Sequence, residues 1–162
     1  MITELAGDIL LSKAQAIAHG VAPHDNFAQG LALALRERWP AMYKDFRHYC
    51  NVHNPHPGGL WAWMGADGTR IINLFTQDPP VAKGKHPGRA SLKHLGHCLK
   101  ALHAHVEKEA IGSLALPRLA TGVGGLDWDL VRPLIHQHLE SLPIPVIVYT
   151  TYHAGQQAAE PL

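Results

Sequence analysis

"LPRLATGVGGLDWDLVRPLI" spans Leu116 to Ile135. An apolar run ends in a loop of small residues, and the loop enters a helical pattern at Trp128. Strand, glycine loop and helix in that order suit anion binding. Glycine lets the backbone come close to a ligand, and a helix N-terminus offers unpaired N–H groups with partial positive charge. A plain turn with Asp127 as helix cap explains the same residues. The loop lacks the Gly-Lys-Ser/Thr of a Walker A motif. It is not a dinucleotide-binding fingerprint either, because counting from Gly122 places Asp127 where the last glycine belongs.

Working outward, the rest of the chain alternates strand and helix patterns. Short apolar runs predict strands at Ile2–Ala6, Ala16–Val21, Ser113–Leu119 and Val146–Thr150. Leu60–Met64 and Arg70–Thr76 flank a Gly65-Ala66-Asp67-Gly68 turn and predict a hairpin. Helical patterns cover Phe27–Trp39, Ala41–Cys50, Ala90–Ala110 and Trp128–Leu139. Pro40 suits the first turn of the second of these. Asn54–Gly59 and Gln77–Gly88 read as loops. This alternation predicts a layered α/β fold with a mixed, largely parallel sheet. Residues 1–154 read as one domain, followed by a frayed tail over 155–162. In such sheets ligands sit beyond the carboxyl ends of the strands, where the loops His24–Gly30 and Thr121–Leu126 fall.

Composition narrows the function classes. The chain has 162 residues, with 14 Lys and Arg against 13 Asp and Glu, so no global field points to nucleic acid or a membrane. Cys50 and Cys98 are its only cysteines, too few for a disulfide framework. The sequence shows no signal peptide, and no apolar run nears the ~20 residues of a bilayer span. The expectation is a soluble cytoplasmic monomer. His48, Cys50, His53 and His56 are too loosely spaced for a zinc site. Histidines packed beside Trp61 and Trp63 are the alternative, and no metal or cofactor is assigned. Lys83, Lys85, Arg89 and Lys93 form either a solvated face or a local patch for a nucleic acid carrying a modification.

The loop in "AHGVAPHDNFAQGLALAL" (Ala18–Leu35) also carries a strand into a helix through small and polar residues. Two such loops at one sheet end can hold two phosphates. Asp8, in "GDIL", offers a carboxylate to an exocyclic amine such as that of adenine, or is simply a turn residue. His19, His24 and Asp25 are candidate catalysts, since a histidine near neutral pKa beside a carboxylate can act as general base. A buried, satisfied His19 and a solvated His24-Asp25 turn are the alternative.

"GDIL", "AHGVAPHDNFAQGLALALRERWP", "LPRLATGVGGLDWDLV" and "VIVYTTY", in this order, resemble the macrodomain family of ADP-ribose-binding modules. The resemblance covers most of the chain. It is to the branch of chromatin-remodeller-like, glutamate-ADP-ribose hydrolase and DNA-ADP-ribose antitoxin macrodomains. It implies a three-layer α/β/α fold with a mixed central sheet, and a partner that is ADP-ribose or an ADP-ribosylated substrate. Asp8 would bind the adenine amine, with the Ile9 N–H nearby, and Tyr149 or Tyr152 would lie against adenine. Ala28, Gln29, Gly30, Leu31 and Ala32 would wrap the distal ribose and one phosphate. Thr121, Gly122, Val123, Gly124, Gly125 and Leu126 would offer N–H groups to the diphosphate. The branch's hydrolases use a lysine and an aspartate, and here Gln77 and Gly124 hold those positions. Hydrolysis of an ADP-ribosylated macromolecule or of ADP-ribose 1″-phosphate is the expected activity. A reader that binds without turnover is the alternative.

Overall fold

The computed structural model describes residues 1–82 and 84–162, so Lys83 and the readings placed on it lie outside the described residues. Among the described residues six strands form one sheet: β1 (Ile2–Gly7), β2 (Ala16–Val21), β3 (Leu60–Met64), β4 (Arg70–Phe75), β5 (Leu114–Pro117) and β6 (Val146–Tyr152). Four helices accompany them there: α1 (Gly30–Arg38), α2 (Pro40–His53), α3 (Leu92–Lys108) and α4 (Trp128–Leu139). A short 3-10 helix, Ile9–Leu11, follows β1. The strand order is β1-β6-β5-β2-β4-β3, parallel throughout except for the β3–β4 hairpin.

The period-two alternation of β2 sorts its side chains between two cores. Ala16 and Ala18 pack with the apolar stripes of α3 and α4, including Leu95, Leu99, Leu102, Val131 and Ile135. Ile17 and Val21 face the opposite way and pack with Leu35, Met42 and Phe46 of α1 and α2. This is the three-layer arrangement with a mixed sheet that the sequence implies.

Element boundaries depart from expectation where capping intervenes. Helix α1 begins at Gly30 rather than Phe27, because Phe27 has positive φ and its N–H is held by the Asp25 carboxylate at 2.9 Å. Helix α2 continues to His53, where Asn54 takes the left-handed conformation and returns its N–H to the Cys50 carbonyl. Helix α3 starts at Leu92, since the Ser91 hydroxyl accepts from the His94 N–H at 3.0 Å. Strand β5 stops at Pro117.

Residues 155–162 contain no helix or strand but are hydrogen-bonded to the body of the fold. The Asp8 N–H donates to the Gln156 carbonyl at 2.7 Å, and the Gly155 N–H donates to Asp8 Oδ2 at 2.8 Å. Glu160 accepts from the Ser12 hydroxyl at 2.6 Å, the Lys13 N–H at 2.8 Å and the Tyr149 hydroxyl at 2.8 Å. These partners come from the beginning of the chain and from β6, too far away in sequence for a local reading of the segment to find.

Candidate functional site

A cleft of about 330 Å³ opens at the carboxyl ends of β2, β5 and β6. One wall is the loop from Asp25 into α1, and the other is the loop after β5.

The first wall is set by Asp25. Its two carboxylate oxygens accept from the Ala22 N–H at 3.0 Å and the Phe27 N–H at 2.9 Å, which folds residues 22–27 into a tight turn. Phe27 is thereby inserted edge-on to the His19 ring, with centroids 5.6 Å apart. The chain then enters α1 through Gln29, whose extended backbone stands at the N-cap but whose side chain caps nothing. The first N–H groups of α1 therefore stay unpaired beside the cleft, and Ala28, Gln29, Gly30, Leu31 and Ala32 all line it.

The second wall closes on itself. The Gly125 N–H donates to the Gly122 carbonyl at 3.1 Å and the Leu126 N–H to the Ala120 carbonyl at 2.9 Å. Those two amides are spent inside the loop. This departs from the implied roles of Gly125 and Leu126, neither of which lines the cleft. The amides of Gly122, Val123 and Gly124 have no hydrogen-bond partner among the described residues. The glycines also differ in why they are small. A Cβ on Gly124 would meet the Ala120 carbonyl at 2.6 Å and the Ala90 Cβ at 2.9 Å, so packing within the protein excludes a side chain there. Gly125 has positive φ. Gly122 alone of the three has open space where a side chain would stand. Asp127 caps α4 by accepting from the Asp129 N–H at 3.0 Å, so that helix end carries its own carboxylate.

The proposed catalysts separate. His19 lines the cleft but is buried, with Nε2 2.6 Å from Asn73 Oδ1. The Asn73 amide nitrogen faces the Trp61 carbonyl at 3.3 Å, so Oδ1 accepts and His19 carries its proton on Nε2. Burial pushes its pKa down to about 4, against a smaller upward pull from Asn73. The ring is neutral at pH 7, not the near-neutral base that the sequence invites. Asp25 lines the cleft, and burial raises its pKa despite its two backbone hydrogen bonds. His24 is exposed, has positive φ, bonds Asn54 Oδ1 at 3.0 Å and lines a different cavity of about 520 Å³ behind the loop. The structure brings His19 and Asp25 to one cleft and places His24 on the other cavity, while each Asp25 oxygen holds a backbone N–H of the turn that carries it.

Tyr149 and Tyr152 line the cleft, whereas Asp8 and Ile9 do not. Asp8 is buried, with Oδ1 accepting from Leu10 and Oδ2 from Gly155. Burial first, and then the Glu160 carboxylate, push the Tyr149 phenol well above its usual range. Gln77 is buried in the lining and donates from Nε2 to the Gly88 carbonyl at 2.9 Å, a neutral strut between these two residues.

Sequence reasoning passed over Arg118 and Gly20, which also line the cleft. Arg118 rests over the Trp128 ring, 5.3 Å from its centroid, and brings a cation to the second wall. Its position directly after a strand's carboxyl end was the available signal. A Cβ on Gly20 would meet Thr76 Oγ1 at 2.6 Å, a constraint set just past the end of the neighbouring strand β4. Among the described residues no three His, Cys, Asp or Glu side chains gather as a metal site. Of the histidine-rich stretch, Cys50 is buried in α2 while His53 packs at a tilt on Tyr49, which stacks on Trp61.

The sequence profile of the Macro domain family matches residues 18–135. The DNA ADP-ribosyl transferase–DNA ADP-ribosyl glycohydrolase fusion protein of Thermosipho africanus is 29% identical over 157 residues, which is 88% of this chain and 40% of that protein. The chain thus spans about two fifths of that relative's length. The ADP-ribose glycohydrolase OARD1 of Homo sapiens is 23% identical over 150 residues, covering 92% of this chain and 91% of the human protein. The solved macrodomain of Mycobacterium tuberculosis DarG superposes with a TM-score of 0.80 at 26% identity, covering 93% of this chain and 99% of that one.

Proposed function

The chain belongs to the Macro domain family, and from that premise we propose that its cleft binds ADP-ribose and hydrolyses an ADP-ribosyl derivative. One observation carries the proposal: two sets of unpaired backbone amides, at the uncapped start of α1 and at Gly122–Gly124, belong to opposite walls of one cleft. Amide sets on opposite walls suit a diphosphate, which spreads negative charge over several oxygens. The names of the relatives from Thermosipho africanus and Homo sapiens support a glycohydrolase.

In the proposed reaction a water oxygen bonds to C1″ of the distal ribose. The bond from C1″ to the attached group breaks, and the water's proton leaves with that group. The chain's share of this work is positioning. Asp25 is the one carboxylate among the described lining residues, and it is engaged by two backbone amides. His19 is neutral and fixed by Asn73. The ligand's own diphosphate is left as the group that orients the water. The neutral Gln77 and Gly124 favour a second reading, an ADP-ribose reader without turnover.

Release assays test the choice. The chain is incubated with ADP-ribosylated protein, an ADP-ribosylated DNA oligonucleotide and ADP-ribose 1″-phosphate. Release of ADP-ribose or phosphate from one of them is the expected result and identifies the substrate class. Binding with no release from all three overturns the hydrolase and leaves the reader.

A further inference from the structure

We propose that residues 155–160 form a strap that competes with the adenine ring for Asp8, so that the nucleoside end of the ligand enters fully only when the strap lifts. The proposal rests on the ADP-ribose reading of the cleft and assigns that reading a specificity device of this chain's own.

The strap bonds Asp8 at both its backbone and its side chain. Its Gly155 N–H holds Asp8 Oδ2 at 2.8 Å, and its Gln156 carbonyl takes the Asp8 N–H at 2.7 Å. The other Asp8 oxygen is engaged by Leu10 at 3.0 Å. Asp8 is consequently buried and does not line the cleft, although its neighbours across the sheet end, Tyr149 and Tyr152, do.

The contact is built into the fold on both sides. Gly7 has positive φ, and a Cβ there would meet the Ala158 Cβ at 2.9 Å and the Gln156 carbonyl at 3.1 Å. The glycine preceding Asp8 therefore makes the room in which the strap lies. Ala158 in turn packs against the core formed by α1, α2 and their sheet face. Glu160 is the latch: it gathers the Ser12 hydroxyl, the Lys13 N–H and the Tyr149 hydroxyl, tying the strap to residues on either side of Asp8's strand end. The segment between latch and β6 lacks helix or strand bonding, so its hold rests on the Ala158 packing and a few hydrogen bonds, set against the entropy of ordering it. Such a segment yields to a ligand that offers Asp8 an equivalent donor.

The test uses the full chain. ADP-ribose and ribose 5-phosphate are titrated into wild type, Glu160→Ala and Ala158→Arg, and exchange of the Gly155 amide is followed by NMR in wild type. Glu160→Ala removes the latch, and Ala158→Arg displaces the strap from Gly7 by bulk. The expected result is ADP-ribose binding about tenfold tighter in both variants, with ribose 5-phosphate unchanged. Saturating ADP-ribose is also expected to speed Gly155 exchange about tenfold, and ribose 5-phosphate to leave it alone. Unchanged or weaker ADP-ribose binding in both variants, or slower Gly155 exchange with ADP-ribose, overturns the strap while the cleft reading stands. Failure of all three proteins to bind ADP-ribose overturns both.

Discussion

The two loop-to-helix junctions that wall the cleft solve one problem in opposite ways. At α4 the chain supplies its own cap: Asp127 accepts from Asp129, and a carboxylate sits at the positive end of the helix. At α1 the cap position is held by Gln29, which bonds nothing, so the N–H groups and the partial charge of that helix face the cleft. The glycine loop that makes the α4 junction conspicuous contributes its own amides at Gly122–Gly124 and not the helix behind it. Glycine content signals backbone that can bend. Whether a helix end is available to an anion depends on the residue at its cap.

The largest expected effect tests the open side of that loop. Gly122→Leu places a side chain in the free space above the amides, where no strain arises. ADP-ribose binding is expected to fall at least about a hundredfold, roughly 3 kcal/mol, with an unchanged melting temperature. Gly124→Leu is the wrong probe of the same idea, because the Ala120 carbonyl at 2.6 Å makes it unfold the loop whether or not a ligand touches it.

A pH effect of similar size separates the junctions. His19, beneath the α1 side, has its pKa lowered from 6.5 to about 4 by burial. The unfolded chain therefore takes up this proton first, and stability is full above pH 6.5 and lost as pH falls towards 4. The loss is on the order of 3 kcal/mol. Urea unfolding at pH 7 and pH 4.5 should show a steeper acid loss in wild type than in His19→Gln.

Two substitutions then exchange the junctions' characters. Gln29→Asp installs a cap on α1: helix stability should rise by about 0.5–1 kcal/mol, while ADP-ribose binding drops about tenfold as a carboxylate meets the diphosphate. Thermal melts and titration of the same protein read both signs. The smallest effect comes from Asp127→Ala, which should cost about 1 kcal/mol of stability and leave ADP-ribose affinity within about twofold of wild type, within the spread of substitutions that touch no ligand.

Much of this was legible in the sequence, and the limits are physical. The strands β2 and β3 and the helix α4 fall where apolar periodicity puts them, because each buries one face against a neighbouring layer and so must keep the pattern. The cleft-lining stretches Ala28–Ala32 and Thr121–Gly124 were marked by small residues between strand and helix. The spent amides of Gly125 and Leu126 were not legible, since a closed loop and an open cradle have the same composition. Nor was the burial of Asp8, whose partners lie at Gly155 and Gln156. The His19–Asn73 pair is similarly remote, formed by adjacent positions on parallel strands β2 and β4, and it turns an apparent base into a fixed neutral ring.

Calorimetric titration of the full chain with ADP-ribose, against AMP and NAD, tests the central claim most directly. The account predicts a micromolar Kd for ADP-ribose, about −8 kcal/mol, and weaker binding of both controls. Absence of binding, or equal binding of all three, would contradict the assignment of the cleft.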